Sequence, residues 1–309
     1  MAIIIITSKG NEQEWQEALL RLNPEIEVRV YPNNKDDDEV SFALAWDPPM
    51  GVFNRYKNLK CIASTGAGVD HIIKDPAIDK SVKMTRVVDQ RLAKDMSSYL
   101  IAQVMVHLRS LFQYKEQQQR ILWNRQPYEV PETTGIGIMG LGELGRAAAA
   151  KFLDLGFKVQ GWSKSEKSIH NVEQFVGDDQ LSAFLKKTNI LICLLPLTDE
   201  TKGILKASLF KKLPQGAYII NVARGEHLVE EDLINAVNSG HLSGACLDVF
   251  KEEPLPMNHP FWKNEKIIIT PHVASITSIL DVAPQIIENY RRMTMNQSLI
   301  NQVKREKGY

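Results

Sequence analysis

The stretch that decides the fold reads Thr134-Gly-Ile-Gly-Ile-Met-Gly140-Leu-Gly142-Glu-Leu-Gly145-Arg146. Its three numbered glycines have the spacing G-x-G-x-x-G and stand between an apolar run, Gly135–Met139, and an alanine-rich run, Arg146–Leu155. In a strand, tight turn and helix, the first glycine permits the turn, the second admits a pyrophosphate and the third lets the helix pack on the strand. The stretch therefore predicts a parallel α/β fold that binds a dinucleotide.

The same spacing predicts which groups contact the dinucleotide. The first N–H groups of a helix have no partner within the helix, so they are available to phosphate oxygens. We therefore expect the cofactor to contact the turn and the first helical residues, namely Gly140, Gly142, Glu143, Leu144 and Gly145.

The next predicted strand ends in Gly161-Trp-Ser163-Lys164-Ser165, where dinucleotide-binding units usually have an acid that holds the ribose 2′-hydroxyl. An acid at this point would repel a 2′-phosphate, which carries nearly two negative charges, whereas a lysine attracts it. Ser163, Lys164 and Ser165 therefore predict NADP(H) as the preferred cofactor and NAD(H) as a weaker one. The alternative is that Lys164 is only a solvated surface lysine.

The composition is that of a globular chain with balanced charge. Its 309 residues, 44% of them hydrophobic, can bury a large core, and this length favours two domains over one. Lysine plus arginine equals aspartate plus glutamate, at 37 each, so no broad positive field attracts an anionic polymer or surface. We predict neither a nucleic-acid partner nor a membrane partner.

The cysteines and the N-terminus both indicate a cytoplasmic protein. Cys61, Cys193 and Cys246 lie far apart, with neither CxxC spacing nor the density of a disulfide framework, so we interpret them as core residues in a reducing compartment. The apolar run that follows Met1 is too short for a membrane helix and lacks the basic flank of a signal peptide. We read it as a buried first strand, and we predict no metal site.

Alternation of apolar runs with helix-length polar segments predicts two Rossmann-like parallel-sheet domains with an active-site cleft between them. The substrate domain comprises residues 1–97 plus 277–309, and the dinucleotide-binding domain comprises residues 98–276. The first has predicted strands at Ala2–Ile6, Glu27–Tyr31, Phe42–Trp46 and Cys61–Ser64. The second has six, at Gly135–Met139, Lys158–Trp162, Ile190–Leu195, Tyr218–Val222, Gly244–Asp248 and Lys266–Thr270. The segment from Ser275 begins as a helix and is too short for a domain, so we expect it to return to the first one.

A long amphipathic stretch from about Asp95 to Leu122 predicts a single helix that links the two domains. Its apolar residues have two interpretations. They pack within the chain, or the aromatic side chains Phe112, Tyr114 and Trp123 form part of a homodimer surface.

Three polar residues follow predicted strands of the second domain, at the sheet edge where open α/β folds bind ligands. Arg224 stands in a turn and can bind a carboxylate in bidentate fashion, Glu253 lies in a proline-bounded loop, and His272 follows Pro271 at a strand end. Taken singly, each has an explanation without function: a surface ion pair for Arg224, an exposed acid for Glu253 and a structural histidine for His272. Together they predict a site, because a carboxylate favours the imidazolium form of a proton-donating histidine while the arginine holds the charged end of the substrate.

Five segments in this order resemble the signature of D-2-hydroxyacid dehydrogenases, and the resemblance covers nearly the whole chain. They are the glycine turn around Gly142, Leu194–Leu205, Asn221–Gly225, Asp248–Pro256 and Thr270–Ala274. Within that family, Leu44–Pro49, Gly66–His71, Gly161–Ser165 and His259–Trp262 resemble the bacterial glyoxylate/hydroxypyruvate reductase group. The chain has Ser-Lys at the cofactor corner where that group often has Ser-Arg, so the positive charge is kept but a planar bidentate contact is not.

The resemblance implies roles for individual residues. Arg224 binds the carboxylate and carbonyl of a 2-oxo acid, His272 is the acid/base, and Glu253 pairs with His272. In the other domain, the backbone N–H groups of Ala67 and Gly68 bind the carboxylate, and Trp46 walls the pocket. The resemblance further assigns three residues to the surroundings of the cofactor, Leu195, Pro196 and Asp248.

The implied reaction is NADPH-dependent reduction of glyoxylate or hydroxypyruvate to glycolate or glycerate, with His272 as the proton donor. The resemblance also implies a homodimer. Two alternatives stay open: a related dehydrogenase that acts on another 2-oxo acid, such as pyruvate or phenylpyruvate, and a non-enzymatic NADP(H) sensor, since a fold does not fix a function.

Overall fold

The computed structural model describes residues 1–33 and 35–308. The chain forms two compact units. The first comprises Met1–Leu92 and the segment from Thr277 onward, and the second comprises Ala93–Ile276. The sequence predicts the divisions after Ser97 and after Ile276; in the structure the first division lies after Leu92, within a helix.

Five parallel strands form the sheet of the first unit, in the order β2-β1-β3-β4-β5. The strands are β1 (Ala2–Thr7), β2 (Glu27–Val30), β3 (Val40–Trp46), β4 (Cys61–Ser64) and β5 (Lys83–Thr85), with helices α1 (Glu12–Leu22) and α2 (Asp70–Ile73) between them. β1 and β3 are apolar and almost wholly buried, as strands covered on both faces must be.

Seven parallel strands form the sheet of the second unit, in the order β12-β11-β10-β9-β6-β7-β8. Two helices, α3 (Gln90–Leu108) and α4 (Leu111–Gln119), precede the sheet. The strands are β6 (Gly135–Met139), β7 (Lys158–Ser163), β8 (Glu173–Val176), β9 (Ile190–Cys193), β10 (Ala217–Asn221), β11 (Leu242–Leu247) and β12 (Ile267–Ile269). The helices between them are α5 (Glu143–Asp154), α6 (Gly177–Lys186), α7 (Ala207–Phe210) and α8 (Glu230–Asn238).

The predicted class, two parallel-sheet α/β units, is confirmed. In the second unit the strand order reverses between β9 and β6, so the loops after these strands diverge. Ligands of open α/β sheets bind in the crevice that such a reversal opens at the carboxyl ends of the strands.

The C-terminal segment belongs to the first unit. Its helix α9 (Ile279–Thr294) lies against α1. The Tyr290 hydroxyl donates to the carbonyl oxygen of Met1 over 3.0 Å, and its ring meets Phe42 edge to face. On the same helix, Ile286 is buried and Ile287 is half-buried.

The prediction of one helix from Asp95 to Leu122 is wrong. α3 ends at Leu108, Ser110 has φ of 51°, and α4 is a separate helix that ends at Gln119. A left-handed residue cannot continue a right-handed helix, so the chain turns at Ser110. α4 buries none of its residues, and Phe112 is 45% exposed.

Two strands are missing from the prediction, β5 and β8. Both are edge strands, of three and four residues. Short edge strands carry polar side chains and lack a continuous apolar run, which is the pattern that predicted the inner strands. Among the helices of residues 1–33 and 35–308, none combines the length and the apolar character that crossing a membrane requires.

Candidate active site

The glycine turn of the second unit has the geometry that the sequence predicts. Gly140 has φ of 101°, and a Cβ on Gly145 would lie 2.0 Å from the carbonyl oxygen of Gly140, so only glycine permits this close packing of α5 on β6. A Cβ on Gly142 would meet nothing within 4 Å. Beside Gly142 there is thus open space in front of the first turn of α5, where Glu143, Leu144 and Gly145 present their N–H groups. This cradle fits a pyrophosphate.

The corner after β7 contains the residues expected to select the cofactor. Ser163 is only 7% exposed, and its hydroxyl donates to the carbonyl oxygen of Ser165 over 2.7 Å. Lys164 is exposed and forms an ion pair with Glu200, which lies in the loop after β9. Ser163 therefore shapes the corner, and Lys164 supplies its charge. No pattern in the sequence predicts the pairing with Glu200.

The loop after β9 is tied to the turn that carries Arg224. Leu195 is buried, whereas the carbonyl oxygen of Pro196 accepts a hydrogen bond from the Thr201 hydroxyl over 2.7 Å. The same oxygen lies 3.3 Å from Nε2 of His227. The predicted cofactor contacts Leu195 and Pro196 thus lie in a hydrogen-bonded loop.

His227 is a positioning residue that the sequence did not predict. Its ring is fully buried, and burial lowers its pKa, which favours the neutral form. Its Nδ1 lies 3.2 Å from the backbone nitrogen and 3.1 Å from the carbonyl oxygen of Arg224, and its Nε2 lies 3.3 Å from the carbonyl oxygen of Pro196. One neutral imidazole thereby links two loops of the candidate site.

Arg224 follows β10 in a turn where the next residue must be glycine. A Cβ on Gly225 would lie 1.9 Å from the carbonyl carbon of Phe250, so this turn packs directly on the backbone that leads to Glu253. Asn221 donates through its side-chain amide to the carbonyl oxygen of Arg224, and Nη1 of Arg224 donates to that of Ala223 over 2.7 Å. Backbone and guanidinium are therefore both oriented by local bonds.

His272 and Glu253 form a hydrogen-bonded pair. Nδ1 of His272 lies 2.7 Å from Oε2 of Glu253, while Oε1 accepts from the N–H of Phe250 over 2.9 Å. Burial alone would raise the pKa of Glu253, but the bonds from His272 and Phe250, together with the nearby charge of Arg224, lower it. The carboxylate therefore stays ionised and keeps its hydrogen bond to Nδ1. Proton transfer to a ligand then falls to Nε2.

Asp248 anchors the backbone around His272. Its carboxylate is 1% exposed and accepts from the hydroxyl of Thr270 over 2.6 Å and from the N–H groups of Val273 and Ala274, each over 2.9 Å. Its carbonyl oxygen accepts from the N–H of His272 over 2.9 Å. His272 has φ of 54°, a conformation that is uncommon for residues other than glycine. The anchor maintains that conformation.

A chain of side chains continues from Asp248 into α3. The Tyr99 oxygen lies 2.6 Å from that of Thr270 and 3.3 Å from the sulfur of Cys246. Thr270 donates to the carboxylate, so it must accept from Tyr99. Burial raises the pKa of the Cys246 thiol to about 12, and the thiol is thus a donor to Tyr99. Tyr99 and Thr270, which sequence reasoning also missed, support the loop of His272.

The first unit places its predicted substrate contacts along one edge of its own sheet. Trp46 ends β3, and Ala67 and Gly68 follow the neighbouring strand β4. A Cβ on Gly66 would lie 2.4 Å from the Trp46 ring, so that ring packs directly on the backbone before Ala67. No described residue accepts a hydrogen bond from the N–H of Ala67 or Gly68. Such N–H groups can bind an anion.

The second unit brings its predicted residues to one sheet edge in a definite order. His272 follows β12, Asp248 and Glu253 follow β11, and Arg224 follows β10. The remaining predicted contacts follow β9, β6 and β7, namely Leu195 and Pro196, the glycine turn, and the corner Ser163–Ser165. The histidine–glutamate pair and the arginine thus lie on one side of the glycine turn, and the corner with Lys164 lies on the other.

Comparison with known proteins agrees with this arrangement. Residues 101–274 match the family model described as D-isomer specific 2-hydroxyacid dehydrogenase, NAD binding domain. A curated relative from Photorhabdus laumondii, named glyoxylate/hydroxypyruvate reductase A, is 39% identical, with 100% of each chain covered.

Two solved structures are similar over the full length. A D-isomer specific 2-hydroxyacid dehydrogenase from Xanthobacter autotrophicus, solved with NADPH and MES, has a TM-score of 0.95 and 37% identity, covering 100% of this chain and 99% of that one. An NADPH-dependent glyoxylate/hydroxypyruvate reductase from Sinorhizobium meliloti, solved with NADP and sulfate, has a TM-score of 0.93 and 34% identity, with the same coverage. The family resemblance seen in the sequence is confirmed: the chain belongs to the D-isomer specific 2-hydroxyacid dehydrogenases.

Proposed function

We propose that this protein reduces a small 2-oxo acid, glyoxylate or hydroxypyruvate, to glycolate or glycerate with NADPH as the cofactor. The relatives from Photorhabdus laumondii and Sinorhizobium meliloti are named for this reaction. The observation that carries the proposal is the His272–Glu253 pair, 2.7 Å apart, on the same sheet edge as Arg224 and the glycine cradle.

The residues of this chain divide the work of the reaction. When bound, the reduced nicotinamide supplies a hydride to the carbonyl carbon. His272 donates a proton from Nε2 to the carbonyl oxygen, and Glu253 orients the ring and stabilises its positive charge through Nδ1. Arg224 binds the carboxylate of the substrate and lies beside the oxygen on which negative charge develops, so its stabilisation is greatest in the transition state.

Other residues bind rather than react. The cradle at Gly140–Gly145 holds the pyrophosphate, and Lys164 attracts the 2′-phosphate. From the first unit, we assign the N–H groups of Ala67 and Gly68 to the substrate carboxylate and the ring of Trp46 to the wall of the pocket. The N–H groups of Ala67 and Gly68 have no acceptor among the described residues, which supports that assignment.

A substrate panel tests the proposed reaction. We expect NADPH absorbance to fall fastest, as kcat/KM, with glyoxylate or hydroxypyruvate and more slowly with pyruvate and phenylpyruvate. Repeating the panel with NADH should give lower kcat/KM values throughout. Faster turnover of phenylpyruvate would mean that the assigned substrate is wrong. Binding of NADPH without its oxidation by any of the four acids would support a sensor instead.

We propose that the native protein is a homodimer built through the segment from α4 to Trp123. Within the chain this segment is not packed: Trp123 is 100% exposed and Ile121 is 94% exposed. Single exposed apolar residues are ordinary, but a cluster of this size usually marks an interface. Sedimentation velocity at micromolar concentration should give twice the chain mass, and Trp123→Ser should shift the population toward monomer. A native monomer under these conditions would contradict the proposal.

We also place the protein in the cytoplasm. The three cysteines are free and buried, which fits a reducing compartment. Fractionation of cells that produce the protein, with the activity found outside the cytosolic fraction, would rule this out.

A further inference from the structure

The basic corner of the second unit contains a counter-charge that the proposed function does not use. Lys164, the residue after β7, forms an ion pair with Glu200 from the loop after β9. About half of the Lys164 side chain and two thirds of the Glu200 side chain are exposed. Exposed pairs of this kind are weak, so Lys164 can change partners readily.

Lys164 provides the charge of this corner. The serine before it is uncharged, and its hydroxyl already has a hydrogen-bond partner. The hydroxyl of Ser163 is buried and donates to the carbonyl oxygen of Ser165. A lysine ammonium is a single point charge on a flexible stem and lacks the planar fork with which arginine holds phosphate. The corner thus depends on a cation that already has an anionic partner.

A 2′-phosphate that approaches Lys164 meets Glu200 in either of two ways. If the ammonium leaves Glu200, the ion pair is lost; if it holds both anions, the carboxylate and the phosphate repel each other at short range. Both cases weaken binding of the phosphate. A ribose 2′-hydroxyl carries no charge, so neither cost applies to NADH.

We propose that Glu200 is a specificity-determining residue, whose carboxylate competes with the 2′-phosphate for Lys164 and keeps the preference for NADPH over NADH below the level that Lys164 alone would give. This inference rests on the proposed function. Its position supports it: the loop after β9 and the corner after β7 flank β6, on whose carboxyl end the glycine cradle lies.

Direct binding measurements with Glu200→Gln test the inference without catalysis. Glutamine keeps the length of the side chain and removes its charge. At low ionic strength we expect the Kd for NADPH to fall about three- to tenfold, as for removal of one nearby like charge. The Kd for NADH should be unchanged. The fragment 2′,5′-ADP should tighten as NADPH does, and the effect should shrink in high salt.

Asp154→Asn is the matched control. Asp154 also forms an exposed ion pair with a lysine, Lys151, but it lies at the opposite end of α5 from the glycine turn. The substitution makes the same change in net charge, so we expect it to leave all three Kd values at the native level. Equal tightening in both variants would reveal a general field effect and would overturn the inference.

The remaining outcomes separate the inference from the proposed function. If native protein binds NADPH and Glu200→Gln leaves its Kd unchanged, weakens it, or tightens NADH equally, only the role of Glu200 is overturned. If native protein binds neither NADPH nor 2′,5′-ADP, the proposed cofactor fails and the inference fails with it.

Discussion

Replacing His272 with asparagine should lower kcat by about 10²–10⁴, the usual contribution of general acid catalysis. Asparagine is the informative substitution for two reasons. It can still donate a hydrogen bond toward Glu253, and it tolerates the left-handed conformation that His272 adopts at φ of 54°. The variant therefore removes the transferable proton while it preserves the loop. Steady-state kinetics at saturating NADPH measure the effect.

Binding and folding provide the controls for this variant. The glycine cradle lies on loops after other strands, so the Kd for NADPH should stay within about twofold of the native value, an allowance for sites that do not share partners. The midpoint of thermal unfolding should also be close to that of the native protein. Native kcat in His272→Asn would remove this imidazole from the mechanism.

Replacing Arg224 with alanine should lower kcat/KM by about 10³ or more, because the guanidinium is assigned to the substrate carboxylate and to the oxygen that gains charge. Both KM and kcat should change, since one contact forms in the ground state and the other strengthens in the transition state. Arg224→Lys is the matched variant. It keeps the charge but loses the bidentate geometry, so we expect an intermediate loss.

A substrate titration at saturating NADPH separates these terms for Arg224. The turn itself is held by backbone contacts of Gly225 and by His227, so the fold should survive the loss of the side chain. An effect confined to the Kd for NADPH would contradict the assigned role. Equal losses in the alanine and lysine variants would also contradict it, because they would show that the positive charge alone contributes nothing at this position.

The inner strands of both sheets were predictable because each is a buried apolar run bounded by turns. All ten predicted strands are present, with ends that differ by at most two residues. The glycine turn was predictable for a stronger reason. A Cβ at Gly145 would overlap the Gly140 carbonyl, so the backbone contact requires glycine at this position and is visible in the sequence.

The break between α3 and α4 has no comparable signal in the sequence. Ser110 takes a left-handed conformation without a glycine or proline nearby, and the apolar spacing continues past it through Leu111 and Phe112. Periodicity reports which residues share one helical face, but it does not report whether anything covers that face. In this chain nothing within the described residues buries α4.

In the candidate site, too, some residues were predictable from the sequence and others were not. Arg224, Glu253 and His272 follow strands in the sequence, so the topology of a parallel sheet already places them on one edge. Their supporting partners were not predictable, because those contacts join distant parts of the chain. Tyr99 reaches Thr270 across 171 residues, and Lys164 meets Glu200 between two separate loops.

The buried carboxylate of Asp248 has a consequence for the energetics of turnover. It fixes the hydroxyl of Thr270 and the N–H groups of Val273 and Ala274, while the carbonyl oxygen of the same aspartate holds the N–H of His272. All of these groups lie within one folded unit. The loss of conformational freedom in that loop therefore occurs once, when the polypeptide folds, and does not recur in each catalytic cycle. In the proposed reaction, the oxo acid therefore binds beside a loop that is already ordered, and its affinity is not diminished by the ordering of that loop.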